Sequence, residues 1–447
     1  MKKLNKRSIA AVLAAMVMMT GCGTNGTGNG GNAAEIKPSE NSLVKTGNSE
    51  KVSVEYVSRM EESSDRPADK EQAYYSDYKD MDKAALKIFA QCLETSPEDN
   101  VLVSPFSLEM GFALVENGAD GNTLSEIEKV IGGGVSVNDM NRDLGYLSSR
   151  MTADQDVKWN VANSIWVNTD GNSDVTLKDE YLNTVSSYYN PEISGLVFDD
   201  AAKDKINNWV NEETFGMIPS IIGEPPQGRM MLINAVAFKG EWNQAFDDAS
   251  IIEDFVFNNN DGSKSSVTML CGDSDKYFTF GDGEGFKVDY KGGQYSFVGI
   301  LPPEGVDIKD YVQSLIDNDV SLVESMEYGS DKECSYYLPE FKTEYSQEMV
   351  PVMQNLGMNE AFIESADFSK LNNGSGLYIS RVLHKTYIDV NREGTEAAAV
   401  TAIQMTEGCV MEPEDPIVIN LNRPFIYMIV DNVTHMPIFL GAQTAMD

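Results

Sequence analysis

Histidine is nearly absent from this chain of 447 residues: His384 and His435 are the only two. A zinc site built on several imidazoles is thereby excluded, and a Ser-His-Asp hydrolase has only two candidate bases. Positive charge is scarce as well, with 34 Lys+Arg against 70 Asp+Glu and a formal charge of −36. Such a chain repels phosphate backbones and anionic lipid headgroups, so nucleic acid is not an expected partner. Cysteine occurs five times, and beyond Cys22 the remaining Cys92, Cys271, Cys334 and Cys409 are widely spaced with no CxxC pair. Disulfide-dense scaffolds and zinc ribbons are both disfavoured. The acidic run Asn168, Asp170, Asn172 and Asp174 lacks glycine at the sixth position of a calcium loop (Ser173) and has Asp179 rather than Glu at the twelfth, so it reads as a solvated turn. Neither a metal nor a cofactor is expected.

What is present is a globular composition, with 42% hydrophobic and 9% aromatic residues. The N-terminus stands apart. Lys2, Lys3, Lys6 and Arg7 precede the apolar run Ile9 to Met19 of 11 residues, too short to span a bilayer of about 30 Å. Met19-Thr20-Gly21-Cys22 follows. A basic start, an apolar run and small residues read as an export signal over residues 1–21. The cysteine after Gly21 is similar to a bacterial lipobox, which implies lipidation of Cys22 and an exported protein, anchored at the cell surface or secreted. Residues 22–70, opening Gly23-Thr24-Asn25-Gly26-Thr27-Gly28, read as a flexible tether that builds no core.

From about residue 71 helices and strands mix. Helical spacing covers Asp82 to Leu93, Ser107 to Asn117 and Lys203 to Phe215; strand-like runs cover Leu232 to Lys239, Tyr295 to Leu301, Cys334 to Phe341, Leu383 to Val390 and Arg423 to Val430. The strands do not alternate regularly with helices, which predicts an α+β architecture rather than a doubly wound sheet. No repeat and no break divides residues 71–447.

The segment from about 392 to 416 is unusual. Taken as extended chain, Thr395, Ala397, Ala399, Thr401, Ile403 and Met405 share one side, while Glu396, Ala398, Val400, Ala402 and Gln404 share the other. The first set is small or apolar and suits a buried strand face. Yet the segment runs on through Gly408 to Pro413 and Pro416 as a loop should. A loop with a buried strand's pattern suggests two states; a plain Ala-rich connection or a short helix is the competing reading.

The stretch Glu393-Gly394-Thr395-Glu396-Ala397-Ala398-Ala399 resembles the hinge of the reactive-centre loop in inhibitory serpins. Other matches occur in that family's order: Asn100 to Ser107, Gly118-Ala119, Gly121-Asn122-Thr123, Ala162 to Trp166, Ile206 to Val210, Asn234 to Trp242, Leu338 to Lys342, Ala366 to Ser369, Leu383-His384-Lys385 and Arg423-Pro424-Phe425. The resemblance covers the whole domain. It implies a large central sheet with further sheets and eight or nine helices. It also implies a suicide substrate: a target serine protease attacks the loop and forms an acyl-enzyme, and the cleaved loop then inserts into the central sheet and traps it. Cysteine proteases are a second class of target, and a monomer is expected. The alternative is a non-inhibitory or substrate-like serpin, a carrier or chaperone.

By the same resemblance the hinge runs from Glu393 through Val400 and Thr401, and the bait bond lies between Gly408 and Cys409, with Met405, Thr406, Val410 and Met411 as alternatives. No Lys or Arg occurs from Glu393 to Asn422, so a pocket with a buried acid lacks its partner and trypsin-like targets are disfavoured. Elastase-, subtilisin- or chymotrypsin-like enzymes fit better. The resemblance places Ser104, Ser107, Asn234 and His384 in the shutter, where the sheet parts, and Trp242 in the breach, where the loop enters. Arg392 and Glu340 stand where the family often has Glu and Lys, which suggests an ion pair of swapped polarity.

Overall fold

The computed structural model describes residues 54–56 and 75–446, apart from 97–99, 154–155, 171–174, 176, 190, 375 and 396–416. The export signal, Cys22, the hinge beyond Thr395 and every bait candidate from Met405 to Met411 lie outside the described residues. Three sheets and nine α-helices occur among those described, an α+β fold.

The largest sheet has seven strands in the order β1 (Val54–Tyr56), β4 (Glu192–Leu196), β3 (Val157–Asn168), β5 (Met230–Glu241), β14 (Gly394–Thr395), β13 (Ile379–Asn391) and β12 (Phe341–Glu348). β1 falls inside the stretch read as tether, which it corrects locally: Val-Glu-Tyr favours extended chain and pairs antiparallel with β4. A second sheet runs β2 (Val101–Val103), β17 (Pro437–Gln443), β16 (Phe425–Asp431), β10 (Tyr295–Leu301), β9 (Gly283–Asp289) and β8 (Tyr277–Phe280). The third runs β15 (Ile417–Asn420), β11 (Cys334–Pro339), β7 (Lys264–Ser274) and β6 (Ile251–Asn258).

The run Cys334 to Phe341 is not one strand, as its alternation predicts. β11 ends at Pro339 in the third sheet, and β12 begins at Phe341 in the large one. Glu340 sits at the corner between them and anchors it by donating its backbone N–H to Thr268 O at 2.8 Å.

Helix α1 (Tyr75–Thr95) is longer than its periodic core. Helix α2 (Pro105–Glu116) begins with proline, whose missing N–H costs nothing in the first turn. Ser104 caps it, its Oγ accepting from Ser107 N at 3.3 Å. Helix α3 (Gly121–Ile131), α4 (Val137–Ala153) and α5 (Asp179–Tyr188) follow. Helix α6 (Asp200–Glu213) stops where Phe215 turns left-handed (φ 55°), with Thr214 Oγ1 donating back to Val210 O. The remaining helices are α7 (Ile308–Asp317), α8 (Leu322–Glu327) and α9 (Met349–Asn355).

The main core runs without interruption from Tyr78 to Met446, with α2 packed between the large sheet and β17. A second cluster lies on the other face of the large sheet, where Ile206 and Val210 of α6 cover Trp166, Met231, Ile233, Ala235 and Leu383. The middle of the large sheet is therefore buried on both faces, so its strands read as continuous apolar runs. Cys92, Cys271 and Cys334 are free thiols.

Candidate functional site

The centre of the large sheet contains a seam. β5 and β13 run parallel and pair directly from Met230–Ile379 to Val236–Thr386. Above that level they part, and β14 stands between them. It pairs antiparallel with both: Gly394 faces Glu241 and Asn391, and Thr395 faces Gly240 and Val390. The sheet is thus closed below and split by two residues above.

Gly394 is required by this close approach. A Cβ there would lie 2.1 Å from Gly240 O and 2.8 Å from Glu241 Cα. Thr395 is fully buried, and its Oγ1 lies 2.6 Å from the Tyr290 hydroxyl. Tyr290 in turn stacks on Trp242 (4.6 Å, 12°). Trp242 closes the ring: its Nε1 donates to Asn391 O at 2.8 Å, and its backbone N–H to Glu393 O at 3.1 Å. Trp242 and Tyr290 thus tie the end of β5 to the end of β13 and to the residues that lead into and form β14.

Arg392 and Glu340 meet at the same corner. Glu340 Oε1 accepts from the Arg392 backbone N–H at 2.9 Å and lies 3.5 Å from its Nε. The two side chains are 41% and 25% exposed, so most of the hold comes from the backbone donor and little from the ion pair.

At the foot of the split, where β5 and β13 are still paired, a polar cluster lies beneath the sheet. His384 is fully buried, its Nε2 accepting from Ser104 N at 3.0 Å. Nε2 must then carry a lone pair, so the proton is on Nδ1, which donates to Asn234 Oδ1 at 2.5 Å. The Asn234 amide donates to Ser107 O and Oγ (both 2.5 Å) and to Asn163 Oδ1 (2.6 Å). Ser104 Oγ donates to Ile438 O at 2.7 Å. Burial pushes the His384 pKa down to about 3, so the ring is neutral near pH 7 and forms a directional hinge pin rather than a base. The cluster joins β13, β5, β3 and α2, the elements that must slide if the seam opens.

The structure thus brings together Ser104, Ser107, Asn234 and His384 in one group, and Trp242, Gly394, Arg392, Glu340 and the backbone of Glu393 in another. Tyr290, Asn163 and Asn391 complete these groups and carry no local signal of their own. Asn163 lies within the Ala162 to Trp166 motif without marking itself as a partner of Asn234, and Tyr290 lies 105 residues from its partner Thr395. His435 lies in neither group; it occupies the β16–β17 turn with φ 59°.

Residues 79–445 match the family model described as serpin (serine protease inhibitor). A serpin-like protein of Thermococcus kodakarensis is 31% identical over 352 residues, covering 77% of this chain and 80% of its own. The leukocyte elastase inhibitor of Bos taurus is 30% identical over 376 residues, covering 80% and 96%. The native-state structure of tengpin, a thermophilic serpin, superposes with a TM-score of 0.78 at 32% identity, over 88% of this chain and all of that one. This chain belongs to the serpin family.

Proposed function

We propose that this protein inhibits serine proteases as a suicide substrate and that the split between β5 and β13 is where its cleaved loop enters. The observation that carries the reading is β14, two loop residues already seated between parallel strands. Continuing their one-to-one register puts Ala397 between Phe238 and Ile388, Ala399 between Val236 and Thr386, and Thr401 between Asn234 and His384. The same steps bring Ile403 between Leu232 and Val382 and Met405 between Met230 and Ser380. These are the small residues of the hinge, followed by Ile403 and Met405 beyond it, all on Thr395's side of the strand. The opposite set, from Ala398 to Gln404, would face Ala235, Ile233 and Met231 beneath α6.

Insertion replaces one parallel pairing by two antiparallel ones, which are slightly more stable per residue. It also adds main-chain hydrogen bonds on both edges of the new strand, each worth about 1 kcal/mol net. The intact loop, held at both ends, reaches that state only slowly, so the native fold is a kinetic trap. Cleavage while the protease is still esterified to the loop releases the trap and carries the enzyme along.

The bait is Gly408–Cys409, or a neighbour among Met405, Thr406, Val410 and Met411. Its lack of any basic residue points to elastase-, subtilisin- or chymotrypsin-like targets. Export and anchoring through a lipidated Cys22 are part of the same proposal, and metabolic labelling with a radioactive fatty acid in the wild type and in Cys22→Ser checks them. The inhibitor reading is tested by mixing the protein with elastase-, subtilisin- and trypsin-like enzymes. A complex that survives boiling in detergent, with the mass of the released C-terminal peptide locating the bond, supports it. Cleavage of the loop without a stable complex refutes it in favour of a substrate-like serpin.

A further inference from the structure

The shutter uses only one side of α2. Ser104, Ser107 and Gly111 lie toward the large sheet; a Cβ on Gly111 would stand 3.2 Å from Asn163 Oδ1. The same helix also carries Glu109 and Glu116, seven residues apart and therefore sharing a face about two turns apart. Each is 1% exposed, and none of their four carboxyl oxygens has a hydrogen-bond partner. The charged groups that act on them are themselves acids: Asp82 of α1 on Glu109 and Glu128 of α3 on Glu116.

Among the described residues, no cation of the other elements packed on α2 acts on either carboxyl. β17 has no charged residue, and β3 and β5 present Asn163 and Asn234 to the helix. β13 presents the neutral His384. Asp143 of α4 is bound to Arg142 and acts on Tyr189, which also feels Glu116. An unpaired carboxylate in this setting would be too costly to keep, so both glutamates are carried as neutral acids.

We propose that Glu109 and Glu116 form a proton-dependent seat for α2, which holds the shutter closed while both are protonated and releases it when either ionises. The arrangement makes the native fold a proton-linked state independent of any protease target. Burial raises both carboxyls well above the usual range, so the folded chain keeps two protons that the unfolded chain loses above about pH 4.3. Native stability therefore falls as pH rises. Other buried groups act in different windows. Asp82 is pushed up to about 7 and Asp143 to about 6, His384 acts below 6.5, and the buried thiols and phenols act at higher pH. Between pH 7 and 8 the two glutamates are separated from the rest, Asp82 included, by comparing variants that lack one or both of them.

The test is denaturant unfolding across that interval for the wild type, Glu109→Gln, Glu116→Gln and the double variant. The folding constant should fall most steeply with pH in the wild type, each Gln substitution should remove up to about tenfold per pH unit from that slope, and the double variant should keep only the shallow slope left by Asp82. Infrared spectra at pH 7 provide a second readout that does not depend on stability: each Gln substitution should remove intensity from the protonated-carboxyl C=O band. Amide exchange in β5 and β13 should also rise with pH beyond its intrinsic rate in the wild type and not in the double variant. Equal slopes in all four proteins, or a carboxyl band unchanged by the substitutions, would overturn the proposal.

Discussion

Replacing Thr395 by arginine should turn the protein from a trap into a substrate. Thr395 is fully buried, its hydroxyl lies 2.6 Å from that of Tyr290, and backbone strands flank it on both sides. A guanidinium cannot shed its charge. To enter here it would have to displace a tyrosine stacked on Trp242, and among the described residues no carboxylate pairs with Tyr290 or Thr395. Burying an unpaired ion costs several kcal/mol after relaxation. The arginine is expelled from the place Thr395 already occupies; taking about 4 kcal/mol to seat it again before the rest of the loop can follow, insertion slows by about 10³-fold. Hydrolysis of the acyl-enzyme is unaffected, so the partition shifts to release. The assay is the ratio of detergent-stable complex to cleaved free inhibitor at increasing protease. Thr395→Ser, which keeps the hydroxyl, should behave as wild type, and Thr395→Arg should give cleaved inhibitor only. Undiminished complex in the arginine variant would refute the idea that the loop enters beside Tyr290.

Three further outcomes follow from the same geometry. Gly394→Ala places a Cβ 2.1 Å from Gly240 O and should expel β14, seen as faster amide exchange at Thr395 without loss of the remaining sheet. His384 has a depressed folded pKa of about 3, so its contribution is fully present above pH 6.5 and lost as pH falls toward 3, by up to about 1.4 kcal/mol per pH unit; NMR of the imidazole should show no titration above pH 4. Reversing Arg392 and Glu340 together should recover only the ion-pair part of what the single reversals lose in denaturant midpoint, because a cation at position 340 cannot accept the Arg392 backbone N–H. The coupling should stay below about 1 kcal/mol, because the pair is partly exposed; a double variant no better than the singles would remove the ion pair from the account.

The parts of the site legible in the sequence were those whose own chain segment dictates them. Thr395 is buried as the alternation predicts, the residues after it lying outside the described ones, and the order of short motifs placed His384 with Ser104 and Asn234. What stayed hidden depends on long-range contact. Nothing around Tyr290 announces a partner at Thr395, and Asn163 gains its place only when β3 pairs with β5. The run from Cys334 to Phe341 alternates without a break, yet the chain changes sheets at Glu340. Glu109 and Glu116 sit in a helix so apolar that its spacing gives no sign that two acids within it are buried. Their meaning appears only when neither is found to have a partner.

The most direct test of the central claim is amide exchange on the protein after loop cleavage by a protease that then dissociates, read residue by residue along 396–405 and along β5 and β13. The account predicts strong new protection of these loop residues in antiparallel register, with Thr401 between Asn234 and His384, and a raised unfolding temperature. A loop that still exchanges freely after cleavage, with Asn234 and His384 still paired to each other as before, would contradict it.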